Sequence, residues 1–389
     1  MSLGDPKERD RLAVAVDATP LLGVRTGVGM FCRGALEALG QRRDLDVAAF
    51  AVTWRRRHLL APLVPAHVRV VERAMPARPL HLIWSRFPGP PVEWFTGPAD
   101  VVHGTNFVVP PTRHAARVVT VHDLTAVRFP AMCDESTRMF PDVVRRAIAE
   151  GAWVHTPSRF VADEVVAEFG AAPDRVRVVH HGIPGHEPIS AVSSAPGPPA
   201  GVALPERTRR YVLSLGTVEP RKDLPGLVRA FDRLAGDHGD VALVLAGARG
   251  WGDDALERAV TESPWRDRIV RLGYVDDDRL RVILGGAYVL AYPSVYEGFG
   301  FPPLEAMAAG VPVVATAVGA IPEVAGDGAQ LVPPGDIDAL AGALAGVLGN
   351  EAIRDALIER GRTRAGLFTW KSTGEGLADL YAAAARSPR

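Results

Sequence analysis

The sequence predicts an α/β protein of two Rossmann-like domains facing a central cleft. Three observations carry this expectation. Short Val-rich runs alternate with helical patterns along the chain, as in parallel sheets covered by helices. The alternation breaks once, at a stretch rich in Pro, Ala, Ser and Gly, and then restarts. The chain has 389 residues, more than the roughly 250–300 at which a single core stops growing.

The elements follow in order. Leu12–Val16 is a buried-strand run, and Gly29–Leu39 has helical spacing. Further strands are expected at Val47–Val52, Val101–His103, Val118–Val121 and Val176–His180. Ser158 before Phe160 is a helix N-cap. The second half gives strands at Tyr211–Leu215, Val241–Leu245, Ile269–Leu272, Val289–Tyr292 and Val313–Ala315. Between and after them, helices are expected at Leu224–Leu234, Asp253–Val260, Asp278–Leu284, Pro303–Ala309 and Asp336–Leu348, then Glu351–Leu367 and Trp370–Ala385. The expected boundaries are a first domain over 1–190, a linker over 191–208, a second domain over 209–368 and a closing helix over 369–389. Ligands of open α/β sheets sit at the carboxyl ends of the strands, which directs attention to the cleft.

Composition narrows the function. The formal net charge of −1 provides no basic field for nucleic acid, so an anionic ligand must be held locally. Cys32 and Cys133 are too few for a disulfide framework, and Cys32 reads as a small buried hydrophobe. No Cys/His cluster has zinc spacing. The polar N-terminus lacks a signal peptide and no apolar run approaches the roughly 20 residues of a membrane span, so the expected location is the cytoplasm. Arg55–Arg57 beside Trp54, and Trp84 beside Arg86, read as solvated loops; peripheral docking on an anionic membrane is the alternative.

The most informative stretch runs from Glu297 to Gly310, EGFGFPPLEAMAAG, just after the strand ending at Tyr292. Gly298 and Gly300 let backbone approach a ligand. Pro302 and Pro303 open a helix whose free N–H groups and dipole suit a diphosphate. Glu297 lies before that helix and Glu305 inside its first turns. Lys222 sits at another helix start, where a cation is locally unfavourable unless an anion accompanies it.

These residues resemble a known family. Two glutamates separated by seven residues within SxxEGFGFPPLEAMAAGxPVVAT are similar to the signature of retaining glycosyltransferases of family 4, which have the GT-B fold. Gly216–Asp223 (GTVEPRKD), Gly273–Val275, Gly319–Glu323 and Phe368–Trp370 extend the resemblance; Gly27–Gly29 and Thr120–Leu124 carry it into the first half. It implies transfer of a mannosyl- or glucosyl-type sugar from a GDP- or UDP-sugar to a hydroxyl acceptor, without metal or resident cofactor. It implies that Glu305 holds the donor ribose. Glu297, with Phe299 and Gly300, would hold the transferred sugar. Lys222 and Arg221 would neutralise the phosphates, with Gly216, Thr217 and Leu304 beside the donor. Val275 would meet the base, Gly27 and Gly29 the diphosphate, and His122 with Asp123 the acceptor. His122, Lys222 and Glu297 are the catalytic candidates. The closing helix would cross back onto the first domain.

One departure stands out: many relatives carry Arg where this chain has Thr217, and Arg221 is the candidate to replace that charge. His103 and the pair His180–His181 read as structural. Asp276–Asp278 contains a formal DxD, accounted for by the acidic first turn of a helix. An epimerase of the same architecture and a non-catalytic sugar-nucleotide binding protein remain alternatives. The acceptor could be a lipid, a polysaccharide end or a small metabolite, and the sequence does not fix the oligomeric state.

Overall fold

The computed structural model describes residues 11–23, 26–84, 87, 89–134, 137–184 and 204–387. It divides into two compact units: Met1–Pro184 with Phe368–Arg389, and Gly185–Leu367. Most of the expected linker, residues 191–203, lies outside the described residues.

The N-terminal unit holds β1 (Leu12–Asp17), β2 (Leu45–Phe50), β3 (Arg69–Val71), β4 (Val101–Gly104), β5 (Ala116–Thr120), β6 (Trp153–Thr156) and β7 (Val176–Val178). All pair in parallel, in the order β3-β2-β1-β4-β5-β6-β7. The C-terminal unit holds β8 (Arg210–Leu215), β9 (Val241–Ala246), β10 (Ile269–Gly273), β11 (Val289–Tyr292), β12 (Val313–Thr316) and β13 (Ala329–Val332). These are also parallel, in the order β10-β9-β8-β11-β12-β13. Both sheets reverse direction beside their first strand, as doubly wound sheets do.

Burial explains the Val-rich runs. All six residues of β9 are buried, as expected of a strand covered on both faces. Leu227 and Phe231 of the helix Leu224–Leu234 pack in one core with Leu344 and Val347 of the helix Ile337–Gly349. Each such side chain contributes about 1.5–3 kcal/mol on full burial. Strands β3, β6 and β13 were not expected. They are short or carry polar residues, as in Trp153-Val154-His155-Thr156 and Ala329-Gln330-Leu331-Val332, so no apolar run marks them. The strand expected at Val176–His180 ends at Val178, freeing His180 and His181 for the sheet edge.

Ser158 caps the helix Arg159–Phe169, its Oγ accepting from the Val161 N–H at 3.2 Å. The closing helix Trp370–Arg386 packs on the N-terminal unit. Its Trp370 indole lies so close to Gly34 that a Cβ there would come within 2.2 Å of the ring. Cys32 is fully buried in the helix Gly27–Gly40. Trp84 is corrected as a surface residue: it is buried, and its indole N–H donates to the Pro90 carbonyl at 2.9 Å. Among the described residues no helix is long and apolar enough to cross a membrane.

Candidate active site

In the C-terminal unit the sheet changes direction between β8 and β11, and the loops leaving these strands diverge. Such a switch point opens a crevice at the carboxyl edge. The loop after β8 carries Gly216–Asp223 and the loop after β11 carries Glu297. They are stitched together where the Val295 N–H donates to the Arg221 carbonyl at 2.8 Å.

Arg221 and Lys222 lie in a 3₁₀ turn, Pro220–Lys222. Asp223, with φ +42°, stops that turn and caps the helix Leu224–Leu234 through the Gly226 N–H at 3.1 Å. The Lys222 ammonium is buried. It donates to Glu297 Oε1 at 2.6 Å and to the Tyr292 hydroxyl at 2.7 Å. Arg221 Nη1 reaches the same Oε1 at 2.9 Å, and Ser294 Oγ donates to it at 2.7 Å. Arg221 Nε is held by Glu219 at 2.8 Å.

The negative charge that the position of Lys222 calls for is therefore already supplied by Glu297. That corrects the sequence argument, in which only an arriving anion satisfied it. The glutamate expected at the sugar and the cations expected at the phosphates form one buried cluster. Arg221 stands in it as a second cation, with Thr217 four positions away in the same loop.

The electrostatics follow from that packing. Burial would raise the Glu297 carboxyl, but Arg221 and then Lys222 outweigh it and hold it at about 2. Burial lowers the Lys222 ammonium, and the attraction of Glu297 opposes this. Burial, and next Glu297, push the Tyr292 phenol well above its ordinary range.

The surrounding loops fix Glu297. Gly319 has φ +54°, and a Cβ there would fall 2.2 Å from the Glu297 carbonyl oxygen, which accepts the Ala320 N–H at 2.9 Å. Gly300, with φ +102°, begins the helix Phe301–Ala308, and a Cβ on it would meet Ile321 Cδ1 at 2.6 Å. Phe299 precedes that helix; Leu304 and Glu305 lie buried inside it. A pocket of ≈ 450 Å³ opens at the carboxyl ends of β8, β9 and β10, lined by Ser214, Gly216, Gly247, Arg249, Arg271 and Gly273 among others. Val275 lies two residues beyond Gly273, half-buried, before Asp276. Asp276 caps the next helix by accepting the Arg279 N–H at 2.9 Å. Among the described residues no three His, Cys, Asp or Glu side chains converge as metal ligands.

Sequence reasoning missed Tyr292, Ser294 and Glu219 as members of the cluster. Ser294 carried a signal, since it opens the SxxE motif; Tyr292 looked like any strand residue.

In the N-terminal unit His122 lies just past β5. Its Nε2 donates to the Thr105 carbonyl at 2.8 Å. A carbonyl only accepts, so Nε2 carries the proton and Nδ1 holds the lone pair. Phe31, Phe107 and His181 pack edge-on around the ring at 5.5, 5.8 and 5.6 Å. Burial lowers its pKa. Asp123 caps the following turn through the Thr125 N–H at 2.8 Å. Gly27 and Gly29 form the first turn of the helix Gly27–Gly40, and the Gly29 N–H is directed to Thr26 Oγ1 at 3.4 Å.

Beneath His122 runs a buried chain of hydrogen bonds. His155 Nε2 must donate to the Val179 carbonyl, at 3.0 Å. Its Nδ1 must then accept from Thr120 Oγ1 at 2.9 Å. Thr120 in turn accepts from His103 Nε2 at 2.7 Å, and His103 Nδ1 accepts from the Tyr381 hydroxyl at 2.7 Å. One end of the chain fixes every proton in it.

Comparison with known proteins agrees with this architecture. Residues 202–364 match the family model described as Glycosyl transferases group 1, and residues 25–186 match Glycosyltransferase Family 4. The chain is 32% identical over 274 residues to the O-antigen chain mannosyltransferase B of Escherichia coli, covering 70% of this chain and 71% of that protein. It is 30% identical to the MMP alpha-(1->4)-mannosyltransferase of Mycolicibacterium hassiacum, over 62% of this chain and 56% of the relative. Sucrose-phosphate synthase from Thermosynechococcus elongatus superposes with a TM-score of 0.73 at 22% identity, over 96% of this chain and 99% of that one. HepE of Anabaena, solved with UDP and glucose, superposes with a TM-score of 0.68 at 15% identity, over 96% of this chain and 100% of its own. The chain thus belongs to the family 4 glycosyltransferases, of GT-B fold.

Proposed function

We propose that this glycosyltransferase moves a hexosyl group, with retention of anomeric configuration, from a nucleotide-diphosphate sugar to a hydroxyl acceptor. The observation that carries the reading is the convergence of Arg221, Lys222 and Ser294 on Glu297 Oε1 at the switch point of the C-terminal sheet. A preorganised pair of cations there stabilises charge on a departing diphosphate without needing a metal. Glu297, locked through Oε1, offers Oε2 to the sugar. Glu305 takes the ribose hydroxyls, Val275 the base by its backbone, and Phe299, Gly300 and Leu304 the rest of the donor, with Gly216 and Thr217 alongside.

The acceptor hydroxyl attacks from the face that the nucleotide leaves, and the departing phosphate oxygen takes its proton. Neutral His122, with Asp123 beside it, orients that hydroxyl through Nδ1. Gly27 and Gly29 bring backbone to the diphosphate. The acceptor is reached free or at a membrane surface. The mannosyltransferases it resembles make mannose the first sugar to test, and the UDP-glucose held by HepE the second.

Titration calorimetry with GDP and UDP, followed by proton NMR of the product anomer, tests the reading. Tight binding of one nucleotide and a product keeping the donor's configuration support it. Inversion, or transfer abolished by EDTA and restored by manganese, would overturn it.

A further inference from the structure

Among the described residues three that are not glycine have a positive φ: Phe107, Arg207 and Asp223. Aspartate is a type that tolerates this region, and the Asp223 carboxylate caps a helix. Phenylalanine is not, so Phe107 at φ +57° is a genuine outlier. It stands at the centre of a three-residue turn, closed where the Val108 N–H donates to the Asn106 carbonyl at 2.7 Å. With positive φ at its centre, this is the rare and strained form of the γ-turn. Such strain persists only where the surroundings hold it, and it gathers at functional sites.

The surroundings of this turn are specific. It follows β4 at the switch point of the N-terminal sheet, with β1 on one side and β5 on the other. Thr105 Oγ1 donates to the Asp17 carbonyl, at the end of β1, at 2.6 Å. The Phe107 N–H donates to the Thr120 carbonyl, at the end of β5, at 2.9 Å. Gly104 leaves no room behind, since a Cβ there would fall 1.8 Å from the Val108 carbonyl oxygen. The turn is tethered to both neighbouring strands and packed against its own.

What the turn holds is His122. The Thr105 carbonyl accepts from Nε2 at 2.8 Å. Two residues on, the half-buried Phe107 ring meets the imidazole edge-on, with centroids 5.8 Å apart and planes at 73°. Phe140 backs the Phe107 ring, stacked at 4.8 Å and 11°. The hydrogen bond alone selects the tautomer but leaves the imidazole able to swing about the line from Nε2 to the carbonyl. Phe107, with Phe31 and His181, closes off that swing. It differs from those two in sharing a turn with the accepting carbonyl, so backbone geometry sets the spacing of the two contacts.

We propose that Phe107 is a positioning residue for transfer: its strained turn holds the His122 ring so that Nδ1 stays aimed at the acceptor hydroxyl. The inference rests on the reading of His122 as the group that orients the acceptor.

Four full-chain variants test this: Phe107→Gly, Phe107→Ala, Phe107→Tyr and His122→Asn. Glycine and alanine both lack the ring, but only glycine takes positive φ freely. Phe107→Gly should therefore melt at a higher temperature than Phe107→Ala. In both, kcat with GDP-mannose or UDP-glucose as donor and methyl α-mannoside as acceptor should fall about 10–100-fold, the scale of a group misplaced by about 1 Å. Donor KM should not change, and Phe107→Tyr, which keeps the ring, should keep the rate. Nitrogen-15 histidine spectra give a readout without substrate, with the His122 signals identified by their loss in His122→Asn. The wild-type ring should show one tautomer, protonated on Nε2, and in Phe107→Gly the two tautomers should average. A glycine variant that melts below the alanine one, or an unaltered His122 tautomer in Phe107→Gly, would overturn the proposal. Full turnover in His122→Asn would also overturn it, through the reading of His122 itself. Lost turnover in His122→Asn beside wild-type kcat in Phe107→Gly would strike the positioning role alone.

Discussion

The two carboxyl edges of this enzyme are built from opposite materials. In the C-terminal unit the edge is charged: Lys222 and Arg221 against Glu297 and Glu219, desolvated and balanced. In the N-terminal unit neutral rings dominate it: His103, His122, His155 and His181 surround Phe31, with ring centroids 4.3–6.3 Å from it. Burial lowers the pKa of every one of these histidines, His155 to about 3. Fixed charge stabilises charge developing on a leaving group. Neutral, direction-locked hydrogen bonds orient an uncharged hydroxyl without competing for that charge. In the proposed reaction the same fold would serve both tasks by changing what fills the strand ends.

The largest expected effect tests the charged side. Lys222→Ala should lower turnover about 10²–10³-fold, beyond any change in donor affinity, because the phosphate gains charge as the bond breaks. Lys222→Arg should recover only part of this, since a planar fork does not replace a compact ammonium. Normal steady-state rates in Lys222→Ala would leave the cluster a structural ion pair.

Acid separates the two edges next. A histidine whose folded pKa is depressed takes up protons mainly when unfolded, so stability falls as pH drops below about 6.5. Asp17 acts in the opposite sense, because burial raises it to about 6, but it is one group against four. The Glu297 contribution is present above about 4.5 and is lost only as pH falls towards 2. Hydrogen exchange at pH 5 should therefore loosen residues around β4–β7 while those around β8 and β11 stay protected. The reverse order would refute the contrast.

Glu297→Gln should destabilise the C-terminal unit by about 3 kcal/mol, near the low end for breaking a buried pair, because Arg221 keeps Glu219. A shift of the urea midpoint measures it, and an unchanged midpoint would mean that Lys222 finds another partner. Tyr381→Phe should cost the N-terminal unit about 1–3 kcal/mol by leaving His103 Nδ1 without its donor. Transfer should be little changed at temperatures where the variant is folded; lost turnover in a folded variant would give the histidine chain a part in the reaction.

Much of this was legible in the sequence, and the limits are physical. The strands most buried on both faces, such as β1 and β9, were visible as aliphatic runs. The glycines at 300 and 319 were visible in their motifs, although the φ angles and close approaches that require them were not. Strand β6 was hidden because His155 and Thr156 are polar, and the buried partners that satisfy His155, Thr120 and the Val179 carbonyl, are assembled only by the fold. The partner of Lys222 was hidden because residue type and helix position do not say which carboxylate the topology delivers. Tyr381 and His103 stand 278 positions apart, and the proton order of their chain exists only once both are in place.

That separation has a consequence in time. The N-terminal unit is discontinuous, needing Phe368–Arg389 after the whole C-terminal unit has been made. The 183 intervening residues, 185 to 367, take about 10–40 s to synthesise at roughly 5–20 residues per second. For that interval His103 has no Tyr381, and Gly34 faces no Trp370. The C-terminal unit, encoded second, is complete first. Released chains that end at Leu367 should therefore hold a finished C-terminal unit joined to an N-terminal sheet that still exposes the groove for its last helix.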